Sequence, residues 1–485
     1  MAETRGKASA LSQKPDQATA GVEEKMRTTP GKRPEVAEEE DYDPFVHRPL
    51  ENLNSDAAIF MHLFKSTIGS GILFLPHAFK EVGTVSGGAC SILIAVLVTY
   101  TAVTTIRCAQ ILCKRARVPS LDLGQVAQAS FEYGPANVRK YGNGFKIATN
   151  FVACFAEYQT VVIYMLYVAS SFQQVKINIL YTNLSHTQYG FQIIEYLSAV
   201  VWDIRIYVII SAPFYCVVSL VPNLQYLTPF SVIGSVLLTA GFFVTLYYFF
   251  EDIKSPIRLS MYTSFFAMPV YCTIFLFALH NMCLLMPLEN SMKTPRHFPI
   301  LLAISMMFSA CVYVMFGFFG YNKYPDTCDT VIKNLPMNQP AAQAVKVAIT
   351  LSVMFGYGIH YFVPVSILWP KIAEKVEENN RRVYEVIFRI GGVIITVLVA
   401  VALPELGPLL GLFSALCFSS MTLLLPGIID LATKWEDSKN PKLLLVKNIC
   451  IFLLWIILLV IGCFESMRKI IQNYGGTKTE DSICR

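Results

Sequence analysis

The sequence predicts an all-α polytopic membrane protein with eleven transmembrane helices. Of its 485 residues, 54% are hydrophobic and only 15% are charged, whereas soluble proteins have roughly 25% charged residues. Apolar runs long enough to cross about 30 Å of hydrocarbon recur along the whole chain. The first of these runs is interrupted by two glycines, and such an interruption indicates a solute site within the membrane.

The apolar runs follow a polar N-terminal segment. Residues 1–50 are rich in Lys, Glu, Thr, Pro and Ala and are predicted to form a disordered cytosolic tail. Residues 51–465 are the predicted transmembrane domain, and residues 466–485 are a short extracellular or lumenal tail. Between spans two and three, residues 120–133 predict a short helix at the cytosolic interface. Spans one to eleven are predicted at 56–80, 87–111, 143–172, 204–221, 226–250, 264–287, 298–320, 341–368, 384–403, 406–430 and 443–465.

Basic residues crowd alternate loops, which indicates a cytosolic N-terminus. They follow spans two, eight and ten, at Arg107, Lys114, Arg115, Arg117, Arg139, Lys140, Lys371, Lys375, Arg381, Arg382, Lys434, Lys439, Lys442 and Lys447. Asn183 belongs to an Asn-Leu-Ser sequon in a loop predicted to lie outside, so we predict that it is glycosylated. Arg468 and Lys469 follow span eleven on the predicted outer side and are the contrary observation, which leaves ten or twelve spans as the alternatives.

The interruption in span one covers residues 67–71, which read Thr-Ile-Gly-Ser-Gly. Two glycines so close together lower helix propensity, so we expect the helix to break there. The start of the second half-helix favours a carboxylate, and the carbonyl groups that end the first half-helix accept from an ammonium group. The break therefore favours a small amino acid. We predict that Thr67, Gly69, Ser70 and Gly71 bind this substrate.

Span six carries polar residues near its middle. An inverted repeat of five helices pairs span six with span one and interrupts both near the membrane midplane. Span six has no glycine at this depth, so its break is expected at His280 and Asn281. We predict that Phe277, His280 and Asn281 complete the substrate site.

Three ionisable side chains, His62, Glu157 and His280, lie deep in predicted spans one, three and six. A histidine titrates near pH ~6.5, and a buried carboxylate can also exchange a proton near neutral pH. We therefore predict that these residues couple transport to protons. The residues also leave structural alternatives open: a packed core histidine for His280, an interhelical hydrogen bond for Glu157, and an interfacial histidine near Lys65 for His62.

Other functional classes find little support in the sequence. The net charge of +5 is spread over the loops, so no nucleic acid partner is expected. The chain has no HExxH, GxSxG or P-loop motif, and no Cys/His spacing typical of a metal site. An intramembrane hydrolase or acyltransferase built from lone polar residues is the enzyme alternative. We expect no enzyme activity, no metal, and no cofactor besides a proton as the coupling ion.

The sequence resembles the proton-coupled amino acid transporters of the amino acid/auxin permease superfamily, and their insect pathetic-like members in particular. The similar motifs lie at residues 42–48, 62–83, 205–207, 222–231, 286–295, 319–321, 334–336 and 406–408. This resemblance implies a LeuT-like fold, with two inverted repeats of five helices plus one further helix. It also implies symport of small neutral amino acids with protons. His62 matches the histidine to which this family assigns proton sensing, and residues 67–71 match its unwound substrate motif.

Two positions differ from the pattern of these transporters. Span six of the family usually has Phe-x-Phe/Leu-Glu-Gly-Ile, whereas residues 277–282 of this chain are Phe-Ala-Leu-His-Asn-Met. Span three of the better-known members has an uncharged polar residue about where this chain has Glu157. These opposite changes lead to the hypothesis that Glu157 and His280 face each other, with the acid moved from span six to span three.

The sequence therefore predicts a multi-pass secondary transporter that moves small neutral amino acids with protons by alternating access. Its expected location is the lipid bilayer of the plasma membrane or of an endolysosomal membrane. The alternative is an amino-acid sensor on the same fold, which binds its ligand and transports little or none.

Overall fold

The computed structural model describes residues 42–48, 53–186, 202–222, 224–251, 259–336 and 339–474. These residues are mostly helical, and the β pairing among them is an isolated bridge between Asn54 and Met292. The predicted all-α polytopic fold is confirmed. The rest of the two predicted tails, residues 1–41, 49–50 and 475–485, lies outside the described residues.

The helices follow the predicted spans closely. Span one consists of Asp56–Thr67 and Leu75–Val82, and span six consists of Ala267–Ala278 and Met282–Asn290. The other spans are Thr84–Ala116 (two), Gly142–His186 (three), Ile204–Ser219 (four), Leu224–Phe250 (five), Phe298–Lys323 (seven), Pro340–Ala373 (eight), Arg381–Ala402 (nine), Leu406–Phe413 with Leu425–Lys434 (ten) and Pro441–Tyr474 (eleven).

Ten of these spans are long and apolar enough to cross a membrane. Span four, Ile204–Ser219, is shorter, with 16 residues. A helix of this length extends about 24 Å. The predicted number of eleven spans depends on this helix and stays a prediction.

Span four nevertheless packs against the bundle through one of its faces. The ring of its Tyr215 lies 4.4 Å from that of Tyr357, and Tyr357 stacks on Tyr361 at 5.6 Å. Tyr357 and Tyr361 belong to span eight, and all three rings are buried. Burial of large aromatic side chains contributes strongly to helix packing.

Spans one and six are both broken, as the repeat predicted. In span one, Ile68 and Gly69 have extended backbone, and the 3-10 turn Ser70–Phe74 leads into the second half-helix. In span six, residues 279–281 separate the two half-helices. Paired breaks in the first and sixth spans are what a LeuT-like inverted repeat predicts.

Span ten is irregular in a way that the sequence analysis did not predict. Two π-helical turns, Ser414–Phe418 and Ser420–Leu424, separate its two α-helical parts. Such turns are rare and occur frequently at functional sites. The first of them borders the breaks described below.

The loop after span two contains the predicted short helix, Leu123–Glu132. It begins with a capping box. The Asp122 carboxylate accepts from the N–H group of Gln125 at 2.7 Å, and the Gln125 side-chain oxygen accepts from the N–H group of Asp122 at 2.9 Å.

Both ends of the described chain differ from the predicted boundaries. Residues 42–48 were assigned to the disordered tail, but Arg48 makes buried contacts with span six. Span eleven continues to Tyr474, beyond the predicted end of the transmembrane domain at residue 465. Polar contacts, which hydropathy does not measure, hold Arg48 and the end of the span-eleven helix on the bundle.

Candidate functional site

The breaks of spans one and six lie against each other. The side-chain amide of Asn281 donates a hydrogen bond to Thr67 Oγ1 at 3.1 Å, and both residues are buried. Asn281 stands immediately before the second half-helix of span six, and Thr67 ends the first half-helix of span one. One buried hydrogen bond therefore joins the two interruptions.

The two glycines of the span-one break have different surroundings. A Cβ atom added to Gly71 would lie 2.8 Å from the Cα atom of Ala278, so Gly71 allows span one to approach span six closely. A Cβ atom added to Gly69 would meet nothing within 4 Å. Gly69 therefore borders open space beside the break, as a small-molecule site requires.

Tyr313 of span seven connects both breaks. Its hydroxyl oxygen accepts from the N–H group of Gly69 at 3.3 Å. The same hydroxyl lies within hydrogen-bonding distance of the carbonyl oxygens of Thr67 and Ala278, the latter at 3.1 Å. A hydroxyl has a single proton, so it donates to one carbonyl at a time. Tyr313 thus satisfies part of the backbone that the breaks leave unpaired.

The side of the site towards span ten is aromatic. The ring of Phe418, at the end of the first π-helical turn, lies edge-on to Phe277 with ring centroids 5.0 Å apart. It also lies edge-on to His280, at 4.8 Å. These contacts hold the His280 ring beside the break of span six.

Glu157 of span three pairs with a histidine that the sequence analysis did not select. Its Oε2 atom lies 2.7 Å from Nδ1 of His360 in span eight. The other ring nitrogen of His360 lies 3.3 Å from the Tyr164 hydroxyl. Glu157 is buried, with only 6% of its surface exposed. A buried carboxylate needs such a partner, because an unpaired charge in this setting is costly.

Glu157 also lies close to His280. One carboxylate oxygen of Glu157, one ring nitrogen of His280 and the sulfur of Cys283 all lie within 4.8 Å of one another. Neither ring nitrogen of His280 has a hydrogen-bond partner among the described residues. The two side chains therefore face each other without a hydrogen bond, whereas Glu157 has hydrogen-bond partners in His360 and in the thiol of Cys283.

Most of the predicted site residues come together around the two breaks. They are Thr67, Gly69, Ser70, Gly71, Glu157, Phe277, His280 and Asn281. His62 does not join them, because its side chain is exposed while Ile59 and Leu63 form the buried face of the same half-helix. Asn183 lies near the end of the span-three helix instead of in the predicted loop, and residues 187–201 lie outside the described residues.

Sequence reasoning missed Tyr313, His360 and Phe418. His360 carried a signal, because it is an ionisable residue inside predicted span eight. Lys346 carried the same signal, and its buried ammonium group has no hydrogen-bond partner among the described residues. Tyr313 and Phe418 carried no such signal, because aromatic residues are common in every span and only the packing shows which of them reach the breaks.

A family model described as transmembrane amino acid transporter protein matches residues 56–471. The chain belongs to this family. This chain is 30% identical over 443 residues to a Drosophila melanogaster protein described as proton-coupled amino acid transporter-like protein pathetic, and the match covers 90% of each chain. It is 23% identical over 435 residues to the probable amino acid transporter skat-1 of Caenorhabditis elegans, covering 85% of this chain and 89% of that one. The family and these relatives are transporters, so this family member is not an enzyme.

Among solved structures, this family member is similar to the inward-facing conformation of Mhp1. The TM-score is 0.49 at 10% sequence identity, and the similarity covers 92% of this chain and 96% of that one.

Proposed function

We propose that the protein is a secondary transporter that moves small neutral amino acids together with protons by alternating access. The observation that carries this proposal is the pair of facing breaks, joined by the hydrogen bond from Asn281 to Thr67, in a chain of an amino acid transporter family. Broken spans make backbone groups available to a substrate near the membrane midplane. In this proposal the protein lies in the plasma membrane or an endolysosomal membrane, with its N-terminus in the cytosol.

The break in span one suits a small zwitterion. Ser70 and Gly71 begin a 3-10 turn, and the first N–H groups of such a turn have no partner within the helix. They favour the α-carboxylate of an amino acid, while the carbonyl groups ending the first half-helix favour its ammonium group. A Cβ atom added to Gly69 would meet nothing within 4 Å, so the space beside this residue suits a short side chain, which favours glycine, alanine and proline.

Proton coupling is the second part of the proposal. The D. melanogaster relative bears the name of a proton-coupled transporter-like protein. In this chain Glu157 and His360 form a buried carboxylate–imidazole pair at 2.7 Å. Loss of a proton from this pair leaves a net negative charge in a buried site, and that charge changes the energy of a zwitterion bound nearby. The pair can therefore link proton release to substrate movement.

The proposal is tested by uptake of radiolabelled glycine, alanine and proline into liposomes that contain the purified protein. We expect at least one of these amino acids to enter, and to enter faster when the outside is more acidic than the inside. Empty liposomes are the control. Saturable binding without uptake in either condition contradicts the transporter and supports an amino-acid sensor, whereas neither binding nor uptake contradicts both.

A further inference from the structure

We infer that Glu157, His280 and Cys283 form a binding site for a divalent transition-metal ion such as Zn²⁺, and that the bound ion inhibits transport. This site goes beyond the proposed function. Metal binding stands independently of that function, whereas inhibition rests on it.

The three side chains come from two spans and meet at one place. Glu157 belongs to span three, while His280 and Cys283 lie on either side of the start of the second half-helix of span six. One potential ligand atom from each residue lies within 4.8 Å of the other two. Ligand atoms of a tetrahedral zinc ion are roughly 3.3–3.8 Å apart, so shifts of about 1 Å would bring all three into the coordination sphere.

The donor atoms match the preferences of zinc. Imidazole nitrogen, thiolate sulfur and carboxylate oxygen are its usual ligands, and sites with three protein ligands keep a fourth position for water. Both ring nitrogens of His280 are buried and have no hydrogen-bond partner among the described residues. Burying a polar atom without a partner costs free energy, and a metal ion would satisfy one of the two nitrogens.

Glu157 is already positioned for this role. His360 holds its Oε2 atom through the 2.7 Å contact, from outside the group of three ligands. Hydrogen bonds of this kind orient metal ligands and increase affinity. The arrangement therefore contains both the ligands and a residue that supports one of them.

A metal ion at this place would join span three to the broken span six. Alternating access requires one group of spans to move relative to another around the substrate site. An ion that binds residues of both spans should hold one conformation and slow uptake. The ion also occupies space beside His280 and Asn281, which are predicted to bind the substrate.

Metal binding is tested on the purified full-length protein with Cd²⁺ and Zn²⁺ as probes. Cadmium bound to a thiolate gives an ultraviolet charge-transfer absorption, and elemental analysis after removal of free metal gives the number of bound ions. We expect His280→Ala and Cys283→Ser each to bind one ion fewer per chain than the wild type, and His360→Gln to bind about 10–100-fold more weakly. Cys311→Ser, which removes an exposed cysteine of span seven, is the matched control and should bind as the wild type does.

Identical cadmium absorption and stoichiometry in the wild type and in Cys283→Ser would overturn the site. If a variant aggregates, the wild type alone still decides: Zn²⁺ should slow alkylation of Cys283, as measured by mass spectrometry, and an unchanged alkylation rate rejects the site. Uptake in liposomes separates the two proposals. If the protein binds metal but transports nothing, the proposed function is rejected and the metal site is not. If the protein transports amino acids but binds no metal and is not slowed by Zn²⁺, the metal site is rejected and the proposed function is not.

Discussion

Gly69 and Gly71 stand two residues apart and differ in what surrounds them. A side chain at Gly71 would collide with the backbone of Ala278 at 2.8 Å, whereas a side chain at Gly69 would enter open space. Neither glycine has a positive φ angle, so backbone strain does not distinguish them. Alanine substitutions at Gly69 and Gly71 therefore show what one added methyl group does where span one packs closely on span six and where it does not.

We expect Gly71→Ala to lower the free energy of unfolding by about 1–3 kcal/mol, the usual cost of overpacking. Gly69→Ala is the matched control and should unfold at the wild-type temperature. It should nevertheless weaken substrate uptake, because its methyl group enters the space proposed for the substrate. Thermal unfolding of the purified variants and uptake in liposomes measure the two effects. Equal destabilisation by both substitutions would show that the space beside Gly69 is not open.

Glu157 and His360, which lie 2.7 Å apart, are the residues that we propose for proton coupling. Glu157→Gln keeps the shape of the side chain and removes its charge. A charge-assisted hydrogen bond contributes about 1.5–3 kcal/mol, so we expect uptake to fall by roughly tenfold or more. The remaining uptake should no longer respond to external acid, and His360→Gln should behave in the same way. Uptake measured across a range of external pH provides the test.

His62→Ala is the informative comparison in the same experiment. The resemblance predicts that this variant loses the response to acid, whereas the exposed position of His62 predicts that the response remains. If His62→Ala alone loses the response while Glu157→Gln and His360→Gln keep it, proton coupling lies outside the buried pair.

At the scale of helices, the segment before span one is held by a buried ion pair. The Arg48 guanidinium donates to the carboxylate of Glu289 at 2.8 Å and to its backbone carbonyl at 3.0 Å, and both side chains are buried. Arg48 also donates to the carbonyl of Pro119 at 2.8 Å, and Gln110 of span two donates to the other Glu289 oxygen at 3.1 Å. One arginine therefore links the chain before span one to span six and to the loop that follows span two.

We expect Arg48→Ala to lower the free energy of unfolding by about 3–5 kcal/mol, because it leaves the buried Glu289 carboxylate without its charge partner. Arg296→Ala is the matched control. It removes an ion pair with Asp43 in which the Arg296 side chain is 72% exposed, and exposed pairs contribute only about 0–1 kcal/mol. Thermal unfolding of both variants tests the contrast, and similar destabilisation by the two would contradict the buried role of Arg48.

At the scale of the whole molecule, side-chain contacts show which ends of the spans lie on the same side of the bundle. Arg48, before span one, meets Glu289 at the end of span six, whereas Glu81, at the end of span one, pairs with Lys469 near the end of span eleven. Span four must cross for the end of span six to return to the side on which span one begins. The contacts therefore agree with eleven crossings.

The two basic residues that depart from the charge rule, Arg468 and Lys469, both form ion pairs. Lys469 pairs with Glu81, and Arg468 pairs with Glu465 at 2.7 Å. Each of these two basic residues therefore has an acidic partner in the folded protein.

Eleven crossings predict that the two termini lie on opposite sides of the membrane. Epitope tags placed at the N-terminus in one version and at the C-terminus in another can be tested by protease digestion of isolated membrane vesicles. We expect one tag to be cleaved and the other to be protected until detergent is added. Cleavage of both tags, or protection of both, would mean an even number of crossings and would exclude span four. Retained uptake by the tagged proteins is the control for folding.

Much of the candidate site was predictable because its signals are local. The glycines of residues 67–71 mark the break in span one, and His280 and Asn281 mark the break in span six. The partner of Glu157 was not predictable, since His360 is 203 positions away in sequence. The sequence predicts that Glu157 faces His280, but it gives no signal for Cys283, the third residue of the proposed metal site.

The sequence by itself determined the membrane setting, the order of the spans and the two breaks. Hydrophobicity and helix propensity act along the chain, so a short stretch is enough to express them. Only the tertiary structure decided that Tyr313 forms hydrogen bonds with both breaks, that His360 pairs with Glu157, and that Arg48 binds the chain before span one to Glu289. These contacts depend on which face each helix turns towards its neighbours, and that choice is made by the packing of all the spans together.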